Sequence, residues 1–271
     1  MKRALAVALL AVSARGAPAP AGEPCGLPLS GEAAETFLRT AEVVGKKGIA
    51  TGITHSEQLT LRDGTRTCRA IRKTIDELKR GVSSFEDGRV YVDFADSWKH
   101  EVAAYELDKL IGTRLVPPTV ERTLQGRKGS LQLWVDGAMT EAERSQKKIS
   151  PPDLPAWNGQ MRKVRLLHQL TYDTDYRNLR NVLSDPSFRI YAVDFSRAFV
   201  PYGELPSEKA LLRFPRSVLE ALKALDRPIL DAKLGRWLTG PQIGGLLARR
   251  DRILALAARR VREEGEAAVL Y

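Results

Sequence analysis

The chain is poor in the residues that build metal and disulfide frameworks. Its 271 residues hold two cysteines and three histidines. Two cysteines supply neither a disulfide-stapled miniprotein nor a four-cysteine zinc site. His55, His100 and His168 are widely spaced and form no HxxxH-type pair, which argues against a histidine-rich metal site. With 21 glycines and 15 prolines, near ordinary usage, collagen-like and low-complexity chains are excluded. No internal repeat is visible. What remains is an ordinary folding composition, 43% apolar and 28% charged. A chain of this length can bury its core as one two-lobed domain or two small ones. The balance is basic, with 43 Lys+Arg against 33 Asp+Glu.

The N-terminus reads as a secretory signal. Lys2 and Arg3 precede an apolar run from Ala4 to Val12, and a small-residue, proline-broken stretch follows from Ser13 to Gly22. Ala19 and Ala21 suit a cut after residue 21, and a cut after Ala14 also fits. A misplaced start or a short N-terminal core helix is the alternative. The run is too short to stay as a bilayer span, so no transmembrane segment is expected once the leader is gone. Removal of 1–21 takes Lys2, Arg3 and Arg15, leaving 40 Lys+Arg against 33 Asp+Glu, a net charge of +7. Cys25 follows Pro24 well past the apolar run, which argues against a lipid anchor. The expected location is periplasmic or extracellular. There Cys25 and Cys68 could pair, or stand as two partly buried thiols.

The pattern along the chain predicts an α+β protein. A short helix is expected over 32–44, strands around Gln58–Leu61 and Arg69–Ile75 with an Asp63-Gly64 turn, then a loop with a short strand near 90–92. Ser97 is a plausible N-cap for a helix ending at Gly112. Strands flank the Gln125-Gly126 turn. Beyond about residue 140 the chain reads as helical, except for a hairpin turned at Asp185-Pro186. The predicted order is therefore an N-lobe over 22–138, an antiparallel sheet with one inserted helix, and a mostly helical C-lobe over 139–271.

Four positions carry chemistry. Lys73 shares a strand face with Ile71 and Ile75, where an ammonium is costly unless it meets an anion or snorkels past the sheet edge. Glu101 lies at the apolar border of the 97–111 helix, either pairing with Lys73 or solvated. The segment from Tyr172 to Asn181 gathers two carboxylates (Asp173, Asp175), two asparagines and two arginines, a density that suggests binding unless the loop is a solvated turn. Asp194 closes an apolar strand, where it meets an arginine or a hard cation. Asn181 and Asp194 end the two strands of one hairpin and so emerge on the same side.

This order resembles the protein-kinase-like fold, and within it the phosphatidylinositol 3/4-kinase-like branch that includes bacterial and secretory-pathway atypical kinases. Residues 129–135 resemble that branch's hinge strand, Asp175 to Asn181 its catalytic loop, and Asp194-Phe195-Ser196 its metal-binding segment. The resemblance runs from about Val43 to Phe199. It implies an ATP- and Mg²⁺-dependent phosphotransferase in which Lys73 holds phosphates, Glu101 orients Lys73, and Asn181 and Asp194 hold Mg²⁺. Asp175 would orient the acceptor hydroxyl. A loop including Gly52 and Thr54 would cover the phosphates, and Gln132 and Trp134 would line the nucleotide. Two features depart from the family pattern. Tyr176 lengthens the Asp175-to-Asn181 spacing to six, and Asn178 stands in the usual histidine position. Either the loop bulges harmlessly, Asp173 shares the role, or transfer has been lost in an exported pseudokinase that binds nucleotide or protein without turnover.

The basic balance suits an acidic or phosphorylated acceptor, or an anionic membrane face. A nucleic-acid partner is weakly indicated. Arg249, Arg250, Arg252, Arg259, Arg260 and Arg262 lie opposite Ile243, Leu246, Leu247, Leu254 and Val261, as on a solvated helix face, with no interleaved aromatic stacking surface.

Overall fold

The computed structural model describes residue 25 and residues 31–48, 56–64, 66–84 and 90–271. The leader and the Gly52–Thr54 loop lie outside the described residues. A five-stranded antiparallel sheet forms the first lobe, in the order β1 (Glu42–Gly48), β2 (Glu57–Asp63), β3 (Arg66–Lys73), β7 (Arg127–Leu133), β6 (Thr119–Leu124). Helix α1 (Glu32–Thr40) packs on one face, where Phe37 and Leu38 meet Leu59, Leu61, Ala70, Leu131 and Leu133. The helix ends earlier than the expected 32–44 span. Ala41 takes an extended conformation (ψ 143°), which frees residues 42–48 to ladder with β2.

A second difference lies between β3 and the inserted helix. The expected loop with a short strand is a long two-stranded ribbon, β4 (Asp76–Ser84) and β5 (Val90–Ser97), running straight into α2 (Trp98–Ile111). Main-chain pairing builds this ribbon, and Leu78 and Val82 on it are exposed, so these two apolar residues mark no buried face. The Ser97 hydroxyl accepts the Lys99 N–H at 3.2 Å and Gly112 closes α2 at φ 69°, as its residue types require.

The C-lobe holds β8 (Met139–Thr140), α3 (Glu141–Gln146) and α4 (Leu154–Thr171). After these come the hairpin β9 (Val182–Ser184) with β10 (Ile190–Ala192), and then α5 (Arg216–Ala224), α6 (Arg227–Leu234), α7 (Gly240–Glu264) and α8 (Glu266–Val269). Asp185 builds the hairpin turn: its Oδ1 accepts from Ser187 N and Oγ and from Arg189 N at 2.6–3.0 Å. The inner face of α2 (Ala103, Ala104, Leu107, Ile111) belongs to the same core as α4, α5 and α7, not to the sheet core. Helix α2 is thus packed between both lobes. The arginine-rich helix departs in part from the solvated-face expectation: Arg250 is half-buried and donates to the Leu225 carbonyl, Arg260 is half-buried, and Arg249 departs furthest. Arg249 has no exposure, because its guanidinium donates to the carbonyls of Leu170, Val200 and Tyr202. Burial pulls its pKa down to about 10.

Cys25 and Cys68 are joined in a disulfide, 43 residues apart in sequence. Closing a loop of that size stabilises by about 4 kcal/mol on a chain-entropy scale. No helix among the described residues is long and apolar enough to cross a membrane.

Candidate functional site

The cleft between the lobes is organised around one ammonium. Lys73 Nζ lies 2.5 Å from Glu101 Oε1 and 2.6 Å from Asp194 Oδ1, so a residue at the end of β3 joins α2 to the segment after β10. Gly129 lets this happen: a Cβ there would lie 2.3 Å from the Lys73 carbonyl oxygen, so any larger residue would push β7 off the end of β3. The Lys73 and Glu101 side chains are 13% and 3% exposed, while Asp194 is 41% exposed at the cleft mouth. Burial alone would lower the Lys73 pKa, but the charges of Asp194 and Glu101 outweigh it and hold the ammonium above its ordinary value. Burial raises Glu101, against the opposing pull of Lys73. The lysine charge lowers Asp194.

Asp194 sits at φ 65°, the left-handed region, which turns its carboxylate back toward the sheet. Ser196 Oγ donates to its Oδ1 at 3.3 Å, and the Phe195 N–H donates to Glu101 Oε2 at 3.2 Å. Glu101 therefore bridges the lysine and the backbone beside Asp194. The sequence offers Glu101 as a partner for Lys73 alone, and its second bond, to a backbone N–H, leaves no mark on residue type.

The polar loop divides into a buried and an open carboxylate. Asp173 has no exposure; its Oδ1 accepts the Asp175 N–H at 2.9 Å and its Oδ2 faces His168. Asp175 is half-buried, and its Oδ2 accepts from Asn178 Nδ2 at 3.0 Å and Asn181 Nδ2 at 3.2 Å. Asn178, the residue in the histidine position, thus holds the same carboxylate as Asn181. The Val193 N–H donates to the Asn181 carbonyl at 2.9 Å, tying Asn181 to the residue before Asp194.

On the hinge strand, Lys73 pairs with Ser130 and Ile71 with Gln132, so Ser130 and Gln132 share the lysine's sheet face. Gln132 is buried, and its Nε2 donates to Thr119 Oγ1 at 2.8 Å. The Arg69 guanidinium lies 5.1 Å over the ring of half-buried Trp134, and Arg69 Nε also donates to Asp136 at 3.1 Å. Among the described residues no three His, Cys, Asp or Glu side chains cluster as metal ligands.

A lone histidine on a helix can equally fill a core, so the sequence assigns no role to His100. It is buried on α2, with Nδ1 2.9 Å from the Ser196 carbonyl oxygen and Nε2 3.0 Å from Gln242 Nε2 on α7. The carbonyl can only accept and the amide nitrogen can only donate, which assigns the proton of a neutral ring to Nδ1. Burial pushes its pKa from 6.5 down to about 4. A lowered histidine stabilises the fold above pH 6.5, and that contribution is lost as pH falls through about 4. The expected loss is about 2 kcal/mol by pH 5 and about 3 kcal/mol in full. Urea unfolding of wild type and His100→Gln at pH 7 and pH 5 checks this. The variant should lose less stability between the two, and an equal loss would refute the assignment.

No protein-family model and no curated protein sequence matches the chain. Solved structures do. A hydra Fam20 protein with sugar is 14% identical, with a TM-score of 0.63, over 87% of this chain and 90% of that one. A Golgi casein kinase is 15% identical, with a TM-score of 0.64, over 87% and 76%. The Helicobacter pylori proinflammatory kinase CtkA is 11% identical, with a TM-score of 0.50, over 83% and 97%. At these identities the likeness establishes a fold, and it is an atypical protein-kinase-like fold with an antiparallel N-lobe and a helical C-lobe.

Proposed function

We propose that the chain is an ATP- and Mg²⁺-dependent phosphotransferase acting on a hydroxyl acceptor. The observation that carries this reading is the three-way contact of Lys73 with Glu101 and Asp194, which joins strand, helix and post-hairpin segment at one point. Phosphoryl transfer asks the protein for positioning and charge neutralisation, and this arrangement offers both. In this reading Lys73 exchanges its contact with Asp194 for nucleotide phosphate while Glu101 keeps it oriented. Asp175 receives the acceptor hydroxyl and draws its proton, held by Asn178 and Asn181. Gln132 and Trp134 line the base, and the loop with Gly52 and Thr54 covers the phosphates. Asn181 and Asp194 fit as magnesium ligands, because this ion accepts one or two protein oxygens and completes its shell from phosphates and water. Bound there, Mg²⁺ would neutralise charge on the transferring phosphates. Asp173 is a supporting residue in this reading, since it has no exposed surface from which to meet an acceptor.

The Asp194-Phe195-Ser196 segment and the 129–135 hinge support a place near the phosphatidylinositol 3/4-kinase-like branch. A lobe boundary near residue 138 suits the change from sheet to helices. The Cys25–Cys68 bridge supports export behind a leader over residues 1–21. The same bridge favours the second reading, a nucleotide-binding or protein-interaction module without turnover, because ATP is scarce outside the cytoplasm. The basic balance suits an acidic or anionic acceptor.

Thermal unfolding with and without ATP plus Mg²⁺ tests the reading. Ligand at about 100 times its Kd adds about 2.7 kcal/mol, a rise on the order of 5–10 °C. No shift with ATP plus Mg²⁺ would remove the nucleotide site. A shift without release of ADP would select the module.

A further inference from the structure

We propose that His168 and Asp173 form a buried positioning pair that couples the Asp194 turn to the Asp175 loop. The inference deepens the phosphotransferase reading and rests on it for its kinetic readout.

Neither member of the pair touches acceptor, nucleotide or metal in the reading above, yet the pair is costly to bury. His168 is 3% exposed and Asp173 is fully buried, in a region where a phenyl ring and an aliphatic side chain would fill space without desolvation. Nδ1 of His168 stands 2.7 Å from Oδ2 of Asp173, in direct polar contact though not aligned as a hydrogen bond. Each residue also reaches a different part of the site. From Asp173, Oδ1 accepts the Asp175 N–H at 2.9 Å, which sets the backbone of the residue that faces the acceptor. From His168, the ring stacks on Phe195 with centroids 5.5 Å apart and planes 21° apart, directly after Asp194. The Asp173 N–H donates back to the His168 carbonyl at 3.1 Å, so the two cannot shift independently. One unbroken line of contact thus runs from Phe195 through His168 and Asp173 to Asp175. A displacement at either end changes the distance between the two carboxylates that transfer would use.

The competing explanation is a core pair that only fills space, and His168→Phe separates the two. Phenylalanine keeps the volume and the stack on Phe195 but has no nitrogen to hold Asp173. Asp173→Asn keeps the acceptor for the Asp175 N–H and removes the charge. Both variants and wild type are compared in Mg²⁺-ATP turnover, thermal unfolding and amide hydrogen exchange. Positioning predicts a kcat lower by about 10–100-fold, the loss that follows misplacement by about 1 Å. The KM for ATP should stay within about 3-fold, and exchange over residues 172–182 should rise at least about 10-fold, with α4 and α7 unchanged. If Asp173→Asn does not fold, His168→Phe decides alone. His168→Phe with wild-type kcat, or with unchanged exchange in the loop, overturns the proposal. If wild type itself shows no turnover, the phosphotransferase reading fails separately. The exchange measurement then decides the pair: faster exchange in the loop supports it and unchanged exchange overturns it.

Discussion

Asp194→Asn is expected to lower Mg²⁺-ATP turnover by about a thousandfold, roughly 4 kcal/mol of barrier, while the protein stays folded. The charge removed is one that would hold the metal, and of the two other carboxylates near Lys73, Glu101 is committed to the lysine and to the Phe195 N–H while Asp96 is buried beside Arg197. Asparagine is the replacement of choice for a backbone reason too. Asp194 sits at φ 65°, a conformation that asparagine adopts more readily than other non-glycine residues, so the turn survives. The amide oxygen can still accept from Lys73 and Ser196.

Stability should change by no more than about 1 kcal/mol, because two effects oppose each other. Lys73 lowers the Asp194 pKa, so the carboxylate stabilises the fold above its ordinary value of 3.8, a contribution screened by its exposure. Asp194 in turn raises the pKa of Glu101, and removing its charge relieves that strain on the buried pair. Turnover is measured beside a urea unfolding curve for both proteins. Equal rates for wild type and variant would end the enzyme reading and leave the binding module.

Much of this site could be read from residue order. The period-2 pattern Ile71, Lys73, Ile75 marked a charged residue on an apolar strand face, and Lys73 does meet Glu101 within ion-pair distance. The Asp185-Pro186 hairpin brought Asn181 close to the residue before Asp194 by geometry alone. What was not legible depends on long-range packing. Helix α2 reads as an ordinary amphipathic helix, yet Trp98, His100, Glu101, Tyr105 and Asp108 are all buried because both lobes enclose it. Arg249 reads as one more solvated arginine until three carbonyls from distant segments converge on it. Residue type does not separate the exposure of Asp173 from that of Asp175, and only the fold makes one buried and the other half-open. Of the β4–β5 ribbon only the short strand near 90–92 is legible, because its ladder is main-chain pairing, which leaves little mark on side-chain pattern.

Lys73→Met is expected to cost about 3–5 kcal/mol of stability at pH 7, the range for stripping the partner from a buried ion pair. Methionine keeps the length of the stem but leaves Glu101 Oε1, on a side chain only 3% exposed, without the cation 2.5 Å away. It also leaves Asp194 facing that carboxylate with nothing between them. Glu101 already has a raised pKa, and losing the lysine that pulls it down raises it further. A group raised in the folded state stabilises below its unfolded value of 4.5, and that contribution disappears as pH rises through its folded value. The gap between variant and wild type should therefore be large at pH 7 and narrow as pH falls toward 4.5, where Glu101 takes up a proton. Lys73→Met combined with Glu101→Gln should recover most of the loss at pH 7, because the uncompensated buried charge is gone, while nucleotide binding stays lost. Urea midpoints at the two pH values read out all three proteins. A single variant as stable as wild type at pH 7, or a double variant no better than the single, would show that the cleft does not depend on this charge balance.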